Sequence, residues 1–150
     1  MKKDKGYYLR YNIEMSRFRF TSTGPKGNIE KVVEYTRFQK NRWNLAFGDV
    51  KDNDWIDNIV SDNNDMRIVL QTVVNTIHLF FEKHPDQQVY IEPLDEKRKI
   101  LYNRIFRQKW IEINALFSVK GIINNADFED YNPQKVFDCF LIMQKNNIIE

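Results

Sequence analysis

Apolar and polar positions alternate through the first third of the chain. Tyr11, Ile13 and Met15 are set against Asn12, Glu14 and Ser16, then Phe18 and Phe20 against Arg17 and Arg19. A period of two marks a half-buried strand. The phase slips by one residue near Ser16, which predicts a β-bulge within one strand. Thr23-Gly24-Pro25-Lys26-Gly27 signals a turn. A second strand is expected from about Ile29 to Phe38, where Val32, Val33, Tyr35 and Thr36 favour extended backbone. Gln39-Lys40-Asn41-Arg42 supplies another turn. Trp43, Leu45 and Phe47 then give a third strand, ended by Gly48. Strands joined by links this short form an antiparallel meander.

The period changes after an acidic loop running from Asp49 to Asp65, in which Trp55, Ile56, Ile59 and Val60 are expected to pin the loop to the core. From Met66 to Lys83, Val69, Leu70, Val73, Val74, Ile77, Phe80 and Phe81 recur at helical spacing. Asp65 is placed as N-cap of this helix, and Pro85 stops it. Val89-Tyr90-Ile91 forms a short strand ended by Pro93. A strand reached through a buried helix is expected to run parallel to the strand before that helix. Asp95 caps a second helix to about Asn114, with Ile100, Leu101, Ile105, Phe106 and Trp110 inward. Leu116–Ile123 and Val136–Gln144 read as a closing hairpin around an Asn124-to-Pro133 loop. The expected fold class is α+β, one domain over residues 1–150, with a mixed sheet in β-β-β-α-β-α-β-β order.

Composition changes this picture little. The hydrophobic fraction of 42% is that of an ordinary globular protein, and 150 residues suit one core. A net charge of +2 demands neither a nucleic-acid nor a membrane partner. No stretch approaches the ~20 apolar residues of a membrane span. The basic start, Met1-Lys2-Lys3-Asp4-Lys5-Gly6, leads into no apolar core, so it is not a secretory signal, and the cytoplasm is the default location. The one cysteine, Cys139, excludes an internal disulfide and reads as a packed thiol within an apolar run.

The element order resembles the core of the acetyl-coenzyme-A-dependent N-acetyltransferase superfamily, without its N-terminal helices. Val69-Leu70-Gln71-Thr72-Val73-Val74, Val89-Tyr90-Ile91 and Arg98-Lys99-Ile100-Leu101-Tyr102 are similar to small acetyltransferase-like phage proteins. Over nearly its full length the chain also resembles an uncharacterised family of small bacterial proteins. The matching stretches are Phe20–Gly27, Asn44–Asp49, Asn63-Asn64-Asp65 leading into Val69–Val73, and Leu101-Tyr102. By analogy, such proteins serve in toxin–antitoxin or phage-conflict systems.

The superfamily resemblance implies that Asn63, Asn64, Asp65 and Met66, at the start of the first helix, hold the cofactor pyrophosphate, and that Tyr102 is a general acid. That seat needs a glycine-rich turn. This chain has no glycine there and places Asp62 and Asp65 where a polyanion would sit. Like charges a few ångströms apart cost about 1–4 kcal/mol. Coenzyme A binding is therefore expected to be impaired or lost, and no cofactor is expected. Acetyl-coenzyme A enters only if an acyltransferase with an atypical loop is the right alternative.

Other chemistry is thin. The six aspartates from Asp49 to Asp65 lack the glycine and closing glutamate of a calcium loop, and read as a solvated acidic loop. His78 and His84 are not at i, i+4 and have no cysteine nearby, so no metal site is expected. No phosphate-binding glycine loop or G-x-S-x-G elbow occurs. The best partner signal is the basic second helix: Lys97, Arg98, Lys99, Arg104, Arg107 and Lys109, with Arg17 and Arg19 adding a basic strand face. Lys97, Arg104, Arg107 and Lys109 are the candidate partner-binding residues. A protein partner or self-association is favoured over nucleic acid. The function expected is a non-catalytic binding or interaction module.

Overall fold

The computed structural model describes residues 5–50 and 61–145. They form an α+β arrangement, a mixed sheet of eight strands with three helices. In chain order these are β1 Arg10–Tyr11, β2 Arg17–Gly24, β3 Gly27–Gln39, β4 Arg42–Asp49, α1 Met66–Lys83, β5 Gln88–Ile91, α2 Glu96–Gln108, α3 Trp110–Leu116, β6 Phe117–Ile122, β7 Glu129–Asp130 and β8 Cys139–Gln144. Trp55, Ile56, Ile59, Val60, Asp52, Asp54 and Asp57 lie outside the described residues. The chain divides into two compact units, Met1–Thr36 with Leu45–Lys83, and Arg37–Asn44 with His84–Glu150. Among the described residues no helix is long and apolar enough to cross a membrane.

In the first unit the expected bulge is a turn. Asn12 accepts from the backbone N–H groups of Ser16 and Arg17, and Met15 takes φ 55°, so the chain reverses. β1 then pairs antiparallel with β2, Tyr11 opposite Phe18. A slip in alternation is compatible with either event, because both flip the face on which the next apolar residue falls. Ile13, placed inward by the pattern, is exposed. β2 and β3 form a hairpin closed by the two-residue loop Pro25-Lys26, with Gly24 opposite Gly27. Gly27 has φ 84°, a conformation costly for any residue with a Cβ. β4 continues through Gly48 to Asp49.

One face of these strands is apolar. Phe18, Phe20, Val33, Tyr35, Leu45 and Phe47 are buried, as is the Val69–Phe81 side of α1. Tyr35 stacks on Phe80 with ring centroids 4.4 Å apart, and its hydroxyl bonds the Thr76 hydroxyl at 2.9 Å. A buried tyrosine needs that second contact, since an unpaired hydroxyl would forfeit much of the ring's gain.

In the second unit β5 runs parallel to β4, Trp43 opposite Val89. β8 is antiparallel to both β5 and β6, and β7 pairs with β6. The expected long second helix is two helices. They meet at Lys109, although backbone bonds from Lys109 to Ile105 and from Ile113 to Lys109 carry across, each 2.9 Å. Leu101, Ile105 and Phe106 face inward as expected, but Ile100 is exposed and Arg98, read as part of a basic face, is buried. Phe106 stacks on Phe140 at 4.4 Å, and Tyr131 lies against Phe106, Trp110 and Phe137. Asn103 ties the helix to this cluster. Its amide donates to the Phe137 carbonyl and accepts from the Phe137 N–H, both at 2.9 Å.

Gly121 lies under this aromatic group. A Cβ there would come within 2.2 Å of the Phe137 ring. Gly121→Ala is expected to lower stability by about 1–3 kcal/mol through forced displacement of that ring. Urea unfolding followed by tryptophan fluorescence measures it, and an unchanged midpoint would show that the ring relaxes freely.

Candidate functional site

Four sequence-predicted residues sit together at the leading end of α1. Asp65 takes the N-cap position: its carbonyl accepts from Ile68 and Val69 N–H, each at 3.0 Å. Its side chain does something the cap reading did not anticipate. One oxygen, Oδ2, accepts from the Ser22 hydroxyl at 2.5 Å and the Tyr7 hydroxyl at 2.6 Å. Asn63 is 1% exposed, and its amide serves the β2–β3 turn. Nδ2 donates to the Gly27 carbonyl at 2.8 Å, and Oδ1 accepts from Lys26 N–H at 2.8 Å. The approach is so close that a Cβ on Gly24 would stand 2.0 Å from the Asn63 carbonyl. Asn64 is exposed with φ 60°, its N–H bonded to Asp62. Met66 is half-buried.

The chain's beginning closes the same corner. Tyr7 N–H donates to Thr72 Oγ1 at 2.8 Å, its ring stacks on Phe20 at 5.8 Å, and Thr23 N–H reaches its hydroxyl oxygen at 3.1 Å. Two side chains proposed for a pyrophosphate are thus occupied by protein groups. Sequence reading passed over Ser22 and Tyr7. Ser22 shares the parity of Phe18 and Phe20, so its inward direction was readable, but its partner lies 43 residues away in sequence.

A second buried polar group was also missed. Lys31 is 1% exposed, on the face of β3 that carries Val33 and Tyr35. Its ammonium donates to Asp49 Oδ1 at 2.6 Å and to the Ser61 carbonyl at 2.9 Å, while Ser61 N–H donates back to Asp49. Asp49, read as part of a solvated loop, is instead half of a buried ion pair.

The expected basic strand face is neutralised. Glu30 takes Arg10 and Arg19, and Glu34 takes Arg17. The Glu30 carboxyl, although partly desolvated, is held below the usual carboxylate range by hydrogen bonds from Thr21 and Arg10. On α2, Lys97 and Arg107 are exposed and Arg104 is half-buried, as is Lys109 at the junction with α3. Arg98 is committed to Asp95, whose carboxylate also caps α2 by accepting from Arg98 N–H at 2.8 Å. Tyr102 is buried on the same helix. Among the described residues no group of three potential ligands is placed to hold a metal ion.

In the second unit a cleft of about 370 Å³ opens beside the start of α2, lined by Glu92, Asp95, Glu96, Lys99, Asp138 and Cys139 among others. Burial pushes the Cys139 thiol up, so it stays neutral, although the residue read as a packed thiol is only half-buried. Tyr90, hydrogen-bonded to it, is raised mainly by burial as well. Lys99 and Asp138 pair at 2.7 Å across the floor, and Asp138 also accepts from Asn124 N–H.

These positions fall within a single stretch that one family profile matches. The chain belongs to a family of unknown function, DUF6934, whose profile matches residues 3–145. An uncharacterised family is what the Phe20–Gly27 and Asn63–Asp65 stretches led to expect. No curated protein and no solved structure matches the chain. Every residue discussed above as a site lies inside the stretch that defines this family.

Two outcomes follow from these buried and half-buried charges. Lys31→Met leaves Asp49 unpaired and is expected to cost about 3–5 kcal/mol, with about half regained in Lys31→Met/Asp49→Leu. Chemical denaturation of both variants measures this, and a double variant no better than the single would refute the ion-pair account. For Asp138, the Lys99 ammonium holds the carboxyl below its usual range, and Asp138 in turn raises Lys99. The pair therefore stabilises the fold above the unfolded Asp value of ~3.9 and below the unfolded Lys value of ~10.4. That contribution disappears as pH falls through the lowered Asp138 value or rises through the raised Lys99 value. Asp138→Asn should cost up to about 1 kcal/mol at neutral pH, since the pair is a third exposed, and should melt with the parent in strong acid. Melting curves against pH test it: a gap that persists in acid contradicts the assignment.

Proposed function

We propose that this chain is a non-catalytic binding or protein-interaction module on an acetyltransferase-like scaffold. The scaffold reading is supported by the β4–α1–β5 crossover, which returns the chain parallel to β4, and by β8 lying between β5 and β6. The observation that carries the functional half is the state of the α1 leading end. A pyrophosphate seat requires outward-facing donors and room for backbone to approach phosphate oxygens. Here Asn63 and Asp65 are buried, and their side chains are engaged by the Pro25-Lys26 turn, Ser22 and Tyr7. The Asp65 carboxylate adds negative charge at the point where phosphate would enter, which opposes the helix dipole.

The competing reading, an acyl-coenzyme-A-dependent N-acyltransferase, needs Tyr102 to reach a leaving thiolate. Tyr102 is 3% exposed, the burial expected of a core tyrosine.

Isothermal calorimetry with acetyl-coenzyme A separates the two. The module reading expects no saturable heat in buffers of differing ionisation enthalpy. Saturable micromolar binding, lost in a variant that crowds the α1 leading end, would establish the acyltransferase instead.

A further inference from the structure

The exposed face of α2 and α3 has a composition that the neutralised strand face lacks. Lys97, Ile100, Arg104 and Arg107 recur at spacings of three, four and three, and Ile111 follows four further on. At 100° per residue these five positions share one side of a helix. The backbone bonds across Lys109 keep that side nearly continuous into α3. Ile100 is 53% exposed and Ile111 91% exposed, so two β-branched aliphatic side chains stand in solvent along a cationic row.

The cations of this row are uncommitted where others are not. Arg10, Arg17 and Arg19 face Glu30 or Glu34, Arg98 faces Asp95, and Lys99 faces Asp138. Among the described residues Lys97, Arg104 and Arg107 enter no ion pair. Three such cations within about 15 Å of helix repel one another, and an acidic partner relieves that repulsion.

We infer that the Lys97–Ile100–Arg104–Arg107–Ile111 stripe docks an acidic amphipathic segment of a partner protein. This rests on the interaction-module reading and names its surface. Charge complementarity selects the acidic character. The two isoleucines select a partner with apolar side chains between its carboxylates, since a nucleic-acid backbone offers Ile100 and Ile111 nothing to bury against. A second copy of the chain is a poor occupant of the same stripe. A twofold antiparallel pairing would set Lys97 beside Arg107 of the other copy, and a parallel one would set each cation beside its own equivalent.

The test uses the full chain and four probes: a labelled peptide with Glu and Leu on opposite faces of a helix, an all-Glu peptide of equal charge, a short DNA duplex, and vesicles containing phosphatidylserine. Fluorescence anisotropy for the peptides and duplex, and co-sedimentation for the vesicles, should show saturable binding of the Glu/Leu peptide above the other three. R104E/R107E should weaken it by about tenfold or more, and I100S/I111S by a comparable factor, both with parental melting curves. Equal binding of the all-Glu peptide, insensitivity to I100S/I111S, or preference for duplex or vesicles would overturn the inference, as would no binding at low salt. Those failures leave the module reading standing, because that reading falls on acetyl-coenzyme A binding and not on any of these probes.

Discussion

A single carboxylate oxygen organises the first unit. Asp65 Oδ2 receives two short hydroxyl bonds, from Ser22 on β2 and from Tyr7 near the chain start, while the Asp65 carbonyl begins α1. A buried carboxylate is tolerated when it accepts hydrogen bonds, and here Oδ2 accepts them from two other segments. The consequence is a fixed junction of helix, hairpin and leading segment. Asn63 reinforces it by bonding the Pro25-Lys26 turn as if it were another backbone strand. The same bonds that hold the junction together occupy the side chains a phosphate would need.

Two of the buried charges of this region follow one logic. Lys31 and Asp65 each lie among apolar residues, and each is surrounded by polar atoms from sequence-distant places. Such groups add little net stability compared with apolar replacements, but a lost partner leaves a costly orphan. Together they tie β2, β3, β4 and the approach to α1 to one another. A region fixed this way is suited to being a scaffold.

Surface charge is sorted rather than evenly spread. Arg17 lies directly opposite Glu34 and Arg19 reaches diagonally to Glu30, the partner of Thr21, whereas Lys97 and Arg107 on α2 are exposed on the side that carries Ile100. A net charge near zero hides this division, because it sums a neutralised face with an unneutralised one. The interaction reading rests on that local difference.

The sequence by itself determined most of the secondary structure. The α1 bounds, the hairpin at Gly24–Gly27, the Asp95 cap and the strand at Val89–Ile91 were legible because propensity, periodicity and turn chemistry agree locally at each. Local signals failed where two outcomes share a pattern: the slip at Ser16 fits a bulge or a turn, and the run through Lys109 fits one helix or two. They failed again for single polar residues. Nothing near Ser22, Lys31 or Asn103 in the chain announces that its partner is Asp65, Asp49 or the Phe137 backbone. Those pairings connect residues 18 to 43 positions apart, and only the packed fold brings them within bonding distance. Tertiary structure therefore decided which polar residues are architecture and which remain free to meet a partner, because burial is a property of the assembled core and not of any window of sequence.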